Sequence, residues 1–390
     1  MRRMRGTIVC IVASFLAAQI LFALLPKAFE LWNAQLIDRL FRLRSAVRSL
    51  QPPYDPTIVH VDLNDTTIRE LDNFYINRSR PHYATLIRNL ASMGTAAQAY
   101  DLLFAARMDE AEDRKLMDAT AAAGNVYFGM VFELSEGGKG RARGRQTPEG
   151  TAYLERAGWT VQTDGSADGF FEGSPIRVTF PDLASLARGG GFLSIREDGD
   201  GVVRRIPLLV RSGEKYYPSL PFKVICDYLQ VSPDRIRVEA GRVILRGARV
   251  AGSLPRDIFI PVDRRGNMVI NFIGPWERMK HYHFADVYRA SESDEELDLW
   301  REELKDKIVV ISEVATGSPD IGPVPTDLNF PLSGLHASVM HTILTGSFLR
   351  PLESSEMLMI ELGLSVLIVV ISMIFTSLWF TLGLGILGTL

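Results

Sequence analysis

Apolar residues fall into three regimes along this chain. Near the N-terminus an uncharged run, "TIVCIVASFLAAQILFALLP", extends from Thr7 to Pro26. Near the other end, Met357 to Leu390 carries a single charge, Glu361. Between them apolar residues come in short bursts set among polar ones, as in a domain with its own core. About 20 apolar residues span a bilayer as a helix. The pattern therefore predicts residues 1–26 as a short tip and a first transmembrane helix, 27–355 as a folded domain, 356–376 as a second span and 379–390 as the start of a third. A cleaved signal peptide is the alternative for the first run, but its apolar stretch reaches Leu25, longer than a usual signal core. The third span is expected to continue past Leu390 into further helices and a cytoplasmic catalytic domain.

The domain opens with "AFELWNAQLIDRLFRLRSAV". Phe29, Trp32, Leu36, Leu40, Leu43 and Val47 recur at helical spacing, which predicts a linking helix over 28–49. Its stripe either packs on the domain or forms a dimer seam, and Asp38 and Arg42 are i,i+4 neighbours on another face. "TIVHVD", "TAAQAYDLLF" and "NVYFGMVF" read as strands, separated by the helical "RPHYATLIRNLASMG" and "EAEDRKLMDATAAAG". That alternation predicts an α/β unit with parallel strands. "SEGGKGRARGRQTPEG", 135–150, reads as a mobile loop.

The second part is richer in strands. "GGGFLSIREDGDGVVRRIPLLV" reads as two strands around a "DGDG" turn. "RVEAGRVILRGARV", "DIFIPVD" and "GNMVINFIG" follow as strands, "YPSLPFKVICDYL" and "HFADVYRA" as helices. "DKIVVISEV" reads as a buried strand returning to the first sheet, and "SGLHASVMHTILTGSFL" as a helix leading towards the second span. The fold class is thus α/β: a mixed sheet with flanking helices, a strand-rich second part, and transmembrane helices on both sides.

Charge and composition narrow the function. The net charge is −3, so nothing points to nucleic acid. Two cysteines, Cys10 and Cys226, cannot build a cysteine metal site. Arg2, Arg3 and Arg5 before the first span favour a cytoplasmic N-terminus. Gly383, Gly385 and Gly388 match the dinucleotide fingerprint in spacing, but their flanks are membrane-like. Thr381, Gly385 and Thr389 fit a small-residue stripe between helices instead. There is no phosphate-binding glycine loop with a lysine, no G-x-S-x-G and no H-E-x-x-H, so no catalytic residue is assigned.

Ligands of open α/β sheets bind beyond the carboxyl ends of the strands. Here the predicted strands end at Asp62, Asp101 and Ser312, with Asn64, Asp65, Arg80, Glu313 and Asp320 close by in sequence and His336 opening the last helix. Asp62, Asp101 and Asp320 are expected to share a pocket. Such carboxylates could hold a divalent cation through oxygen ligands, as Ca²⁺ or Mg²⁺ requires, or with Arg80 a small polar ligand. The structural alternative is that Asp65 caps "TTIREL", that Asp101 pairs with Arg80, and that His336 is a satisfied histidine at a helix start.

An ordered set of segments resembles the CHASE2 domain of bacterial receptors. It runs from "DRLFRLR" (Asp38–Arg44), "IVHVDLND" (Ile58–Asp65) and "RSRPHYATLIRNL" (Arg78–Leu90) through "YDLLF" (Tyr100–Phe104) and "GNVYFG" (Gly124–Gly129). "DGVVRRIPLL" (Asp200–Leu209), "YPSLPF" (Tyr217–Phe222), "GNMVINFIGP" (Gly266–Pro275) and "HFADVYRA" (His283–Ala290) come next. "LKDKIVVISEVATGSPD" (Leu304–Asp320) and "GLHASVMHTILTGSFL" (Gly334–Leu349) complete it. Two stretches depart from the family: "FYINRSR" replaces its aromatic–proline run, and Ser312 and Glu313 stand where a glycine is usual. The resemblance implies an extracytoplasmic sensor, 27–355, in a multi-pass protein of the bacterial inner membrane. It also implies a following cytoplasmic output domain, most often a class III adenylate or guanylate cyclase, otherwise a histidine or serine/threonine kinase. The expected partners are the membrane, a small-molecule or other extracytoplasmic stimulus, and a second copy of the chain as a homodimer. No organic cofactor is implied. A self-contained periplasmic enzyme or binding protein is the competing reading.

Overall fold

The structure, a computed structural model, describes residues 12–374 apart from 14, 17–18, 22–23, 53, 73, 77–78, 137–146, 251, 319, 351 and 353. The centre of the expected 135–150 loop, the start of the first apolar run and the expected third span lie outside the described residues. The chain divides into two compact units, Met1–Ile37 with Arg350–Leu390, and Asp38–Leu349.

In the first unit the helix Ser354–Ile374 carries Glu361, whose Oε2 accepts a 2.7 Å hydrogen bond from Gln19 Nε2. Among the described residues no helix is long and apolar enough to cross a membrane.

The second unit is mixed α/β. Its main sheet contains β1 (Ile58–Leu63), β2 (Ala97–Tyr100), β3 (Val126–Ser135), β4 (Glu172–Val178), β5 (Gly189–Phe192), β6 (Leu209–Ser212), β7 (Lys215–Pro218), β8 (His281–His283) and β9 (Ile308–Glu313). The order is β8-β1-β9-β2-β3-β4-β6-β7, with β5 also pairing with β3. From β8 to β3 all pairings are parallel. As its apolar run predicts, β9 returns from far along the chain to lie between β1 and β2. A second sheet holds Gln162–Thr163, Ile236–Glu239, Arg242–Ala248 and Arg256–Pro261.

Helices cover both faces, as a parallel sheet requires. On one face Val59, Val61, Leu63, Val309 and Ile311 meet Tyr83, Leu86, Ile87 and Leu90 of the helix Arg80–Ser92, with Leu116 of the helix Glu110–Ala123. The latter helix starts where Asp109 accepts from the Ala111 and Glu112 N–H groups and stops at Gly124, φ 66°. On the other face Ile58, Ala97, Ala99, Ile308 and Val310 meet Leu335, Val339, Met340 and Ile343 of the helix Ser333–Thr345. Each Val, Leu, Ile or Met side chain among these contributes about 1.5–3 kcal/mol when taken out of water.

Three local expectations need correction. The linking helix, Pro26–Ala46, turns Asp38 and Phe41 inwards, while Leu36, Leu40 and Leu43 are more than half exposed. Within the second unit, Leu40 and Leu43 of the stripe are therefore not the side chains that pack on the domain. Asp38 does not turn to Arg42 but binds Arg204, a partner no local pattern contains. The "DGDG" segment does turn, with Gly201 N–H donating to Asp198 O, but its flanks are not a hairpin. Gly189–Phe192 pairs with β3, and Arg205–Pro207 pairs with Asn267–Val269. Asp198 and Asp200 are drawn instead to the Arg204 guanidinium, at 3.1 and 2.7 Å.

Candidate functional site

Both faces of β1 are buried, so its alternation sorts side chains between two cores. Val59, Val61 and Leu63 point one way. Ile58, His60 and Asp62 point the other, towards the helix Ser333–Thr345. Parallel register places Ser312 beside Asp62, and His281 beside His60. Asp101 follows β2 directly, and its N–H donates to Ile311 O. Polar side chains from four parallel strands thus meet on one face, near the strands' carboxyl ends.

The cluster has two halves. In the first, His281 Nδ1 lies 2.9 Å from Asp62 Oδ2 and His281 Nε2 lies 2.9 Å from Trp276 O. The His60 ring stacks on that of His281 at 5.0 Å, and the Trp276 ring lies 4.7 Å from His60 and 4.3 Å from His281. His60 Nδ1 is 3.3 Å from Ser312 Oγ. His60 Nε2 and Asp62 Oδ1 are buried with no hydrogen-bond partner among the described residues. Burial, and then the nearby charges of His281 and His336, hold the His60 pKa well below the ordinary histidine value.

In the second half His336 Nε2 lies 3.2 Å from Asp101 Oδ1, with both side chains buried. Burial opposes charging of His336, but the Asp101 and Asp320 carboxylates outweigh it and raise its pKa. Asp320 is pushed up to about 6 by burial and by the Asp101 charge, against the pull of His336. Glu313 is raised by burial and by Asp101. The backbone carbonyl of Asp320 accepts from Leu332 N–H, which holds this loop against the start of the Ser333 helix.

Of the residues expected from sequence, Asp62, Asp101 and His336 stand on this face, and Glu313 and Asp320 lie within electrostatic reach of Asp101. The other three are elsewhere. Asn64, not Asp65, caps the short helix Asp65–Glu70, its Oδ1 accepting from Thr67 N–H at 3.0 Å. Its Nδ2 lies 2.6 Å from His283 Nδ1. Asp65 instead accepts from the N–H and hydroxyl of Thr316. Arg80 is buried in the opposite core, 3.1 Å from Asp113 with its guanidinium 4.6 Å from the Phe104 ring, so its ion pair is with Asp113 rather than Asp101. It cannot neutralise the carboxylate cluster.

Sequence reasoning missed His60, His281 and Trp276. His60 was detectable, since it precedes Asp62 by two positions in a strand and must share its face. Nothing local links His281 to β1; the pairing of β8 does that. A separate groove, lined by Tyr282, Asp286, Arg289, Trp300 and Glu303, is open and acidic. Tyr282 alternates with His281 along β8, so the groove lies off the cluster's face.

A protein-family model described as the CHASE2 domain matches residues 9–377. No curated protein and no solved structure matches the chain.

Proposed function

The chain belongs to the CHASE2 domain family, and from that premise we propose that it is the membrane-anchored sensory input of a bacterial receptor. A CHASE2 domain is an extracytoplasmic sensor module. In this reading residues 27–355 lie outside the cytoplasm, segments 7–26 and 356–376 cross the inner membrane, and a class III nucleotide cyclase carries the output. The apolar runs and the arginines at positions 2, 3 and 5 support that orientation. The Gln19–Glu361 hydrogen bond fits it as well, since polar groups within a membrane pair with one another.

One observation carries the sensory role: the buried His336–Asp101 contact. It ties the helix Ser333–Thr345, which leads on towards the second apolar segment, to the carboxyl end of the sheet. A stimulus that tightens or breaks this contact shifts the helix that would report it. The other route outwards is the linking helix. Leu36, Leu40, Leu43 and Val47 of the stripe are exposed, and positions 29/40, 32/43 and 36/47 repeat at an 11-residue period. That repeat fits a right-handed, gently supercoiled seam between two copies.

The test uses membranes from cells producing the whole receptor. Asp101→Asn is expected to change basal cyclic-nucleotide output several-fold while circular dichroism stays near wild type. Unchanged output defeats the reading. A reporter fused within 137–146 should show extracytoplasmic activity, and cytoplasmic activity there reverses the orientation.

A further inference from the structure

We propose that His60, Asp62 and His281 form a binding site for a divalent transition-metal cation of the zinc, cobalt and nickel class. Each residue offers one donor atom, and these atoms all lie within 4.8 Å of one another. His60 and Asp62 are buried and His281 is partly exposed, so the site has a floor inside the domain and one side open to an arriving ion.

The groups around the three donors hold them in ligating form. His281 Nε2 faces the Trp276 carbonyl, an acceptor, so that nitrogen carries the hydrogen and donates. Its Nδ1 faces Asp62 Oδ2 at 2.9 Å, a contact that a proton bridges in the metal-free chain and that an arriving cation would take over by displacing that proton. Metal–ligand bonds of about 2.0–2.2 Å place adjacent donors about 3.0 Å apart at a right angle and about 3.4 Å apart at the tetrahedral angle. The Asp62–His281 spacing already corresponds to the first. His60 is held in the same manner: Ser312 Oγ faces Nδ1, and Nε2 is the buried atom without a partner. A histidine ligand whose second nitrogen is held by a carbonyl or hydroxyl is the usual outer-shell arrangement of a metal site. Asp62 Oδ1, also unpartnered, supplies the anionic ligand or a second oxygen.

The donor set selects the ion. Two imidazoles and one carboxylate suit borderline cations, whereas Ca²⁺ and Mg²⁺ require oxygens throughout. This differs from the all-oxygen carboxylate site expected from the sequence. Three protein ligands leave positions for water or a further ligand, which is the condition for exchange. A bound cation would also lie near His336, whose charge already acts on His60, and would couple the two halves of the cluster. That last consequence rests on the sensory reading, whereas the binding site does not.

The experiment titrates the purified, chelator-treated chain with Co²⁺, read by its visible absorption and by quenching of tryptophan fluorescence, and then competes with Zn²⁺. One Co²⁺ per chain is expected, displaced by Zn²⁺. Asp62→Asn and His281→Gln should each weaken binding by about 100-fold, and Ser312→Ala by about ten-fold. Asp65→Asn should leave it unchanged. Trp276→Phe should abolish much of the quenching while the absorption band remains. His60→Gln sits in a core strand and is secondary; the partly exposed His281 keeps the test sound if it misfolds. Wild-type chain that takes up no more Co²⁺ than the Asp62→Asn/His281→Gln double variant overturns the proposal. Tight, variant-sensitive Co²⁺ binding with a receptor output indifferent to the metal upholds the site and removes it from the sensory reading.

Discussion

Asp38 of the linking helix accepts two hydrogen bonds from Arg204, Nε to Oδ1 at 2.9 Å and Nη2 to Oδ2 at 2.8 Å, with both side chains buried. This bidentate pair, with Phe41 packed edge-on against Phe272 at 5.8 Å, fixes the end of the helix on the domain. Arg204 also gathers Asp198 and Asp200, so one guanidinium organises a helix and a loop distant in sequence. Removing one partner of a buried pair costs about 3–5 kcal/mol. Asp38→Ala should fall at the lower end, about 3 kcal/mol, because the two loop carboxylates still compensate Arg204. Urea unfolding of the two proteins measures it; a loss under about 1 kcal/mol would show that the pair does not hold the helix.

The exposed stripe makes a separate prediction about assembly. Single cysteines at Leu40 or Leu43 should cross-link two copies under mild oxidation in membranes, and Leu40→Asp should abolish the dimer. A cysteine at Arg42, on another face, should cross-link far less. Equal cross-linking from all three positions would dispose of the seam.

Arg80 supplies a contrast that separates folding from sensing. It is buried against Asp113 on the opposite face of the sheet from the cluster. Arg80→Met should cost about 3 kcal/mol or more in stability by leaving Asp113 uncompensated. It should not change Co²⁺ affinity in the protein that remains folded. A large change in affinity would mean that the two faces are more tightly linked than the separate cores imply.

Protonation of the second half of the cluster sets a pH dependence. Asp320 has a folded-state pKa raised to about 6, so the folded chain holds its proton more tightly than the unfolded chain does. Its favourable contribution is present at low pH and is lost as pH rises from about 4 to about 6. His336 is also raised, so its contribution is fully present below the ordinary histidine value and is lost as pH rises through its higher folded value. Both have the same sign: the cluster favours folding in mild acid and loses that advantage towards alkaline pH. Glu313, raised by burial and by the Asp101 charge, shares the response. Relative to wild type, Asp320→Asn should gain about 1–3 kcal/mol of stability between pH 4 and 7. A difference between the two proteins that does not vary with pH would refute the assignment.

The amino-acid sequence alone carried the class of the fold, because period and punctuation are local. Alternating strand and helix runs required a parallel sheet, and the buried run Ile308–Glu313 could be placed in it by its apolar character. Ordered segments along the chain also pointed to the family. Asp62, Asp101 and His336 were legible as candidates, since a strand's carboxyl end and a helix start can be recognised from their neighbours. What the sequence could not decide was every choice between distant partners. Asp38 had a plausible neighbour at Arg42, yet a buried carboxylate is better served by the two donors of Arg204. Arg80 could be assigned to Asp101 only until two cores on opposite sides of the sheet separated them. His281 lies 219 positions beyond Asp62 and meets it only because β8 pairs with β1. Local patterns decide what each segment can be; burial, register and the pairing of buried charges act across the sheet, and only the tertiary structure brings those groups into contact.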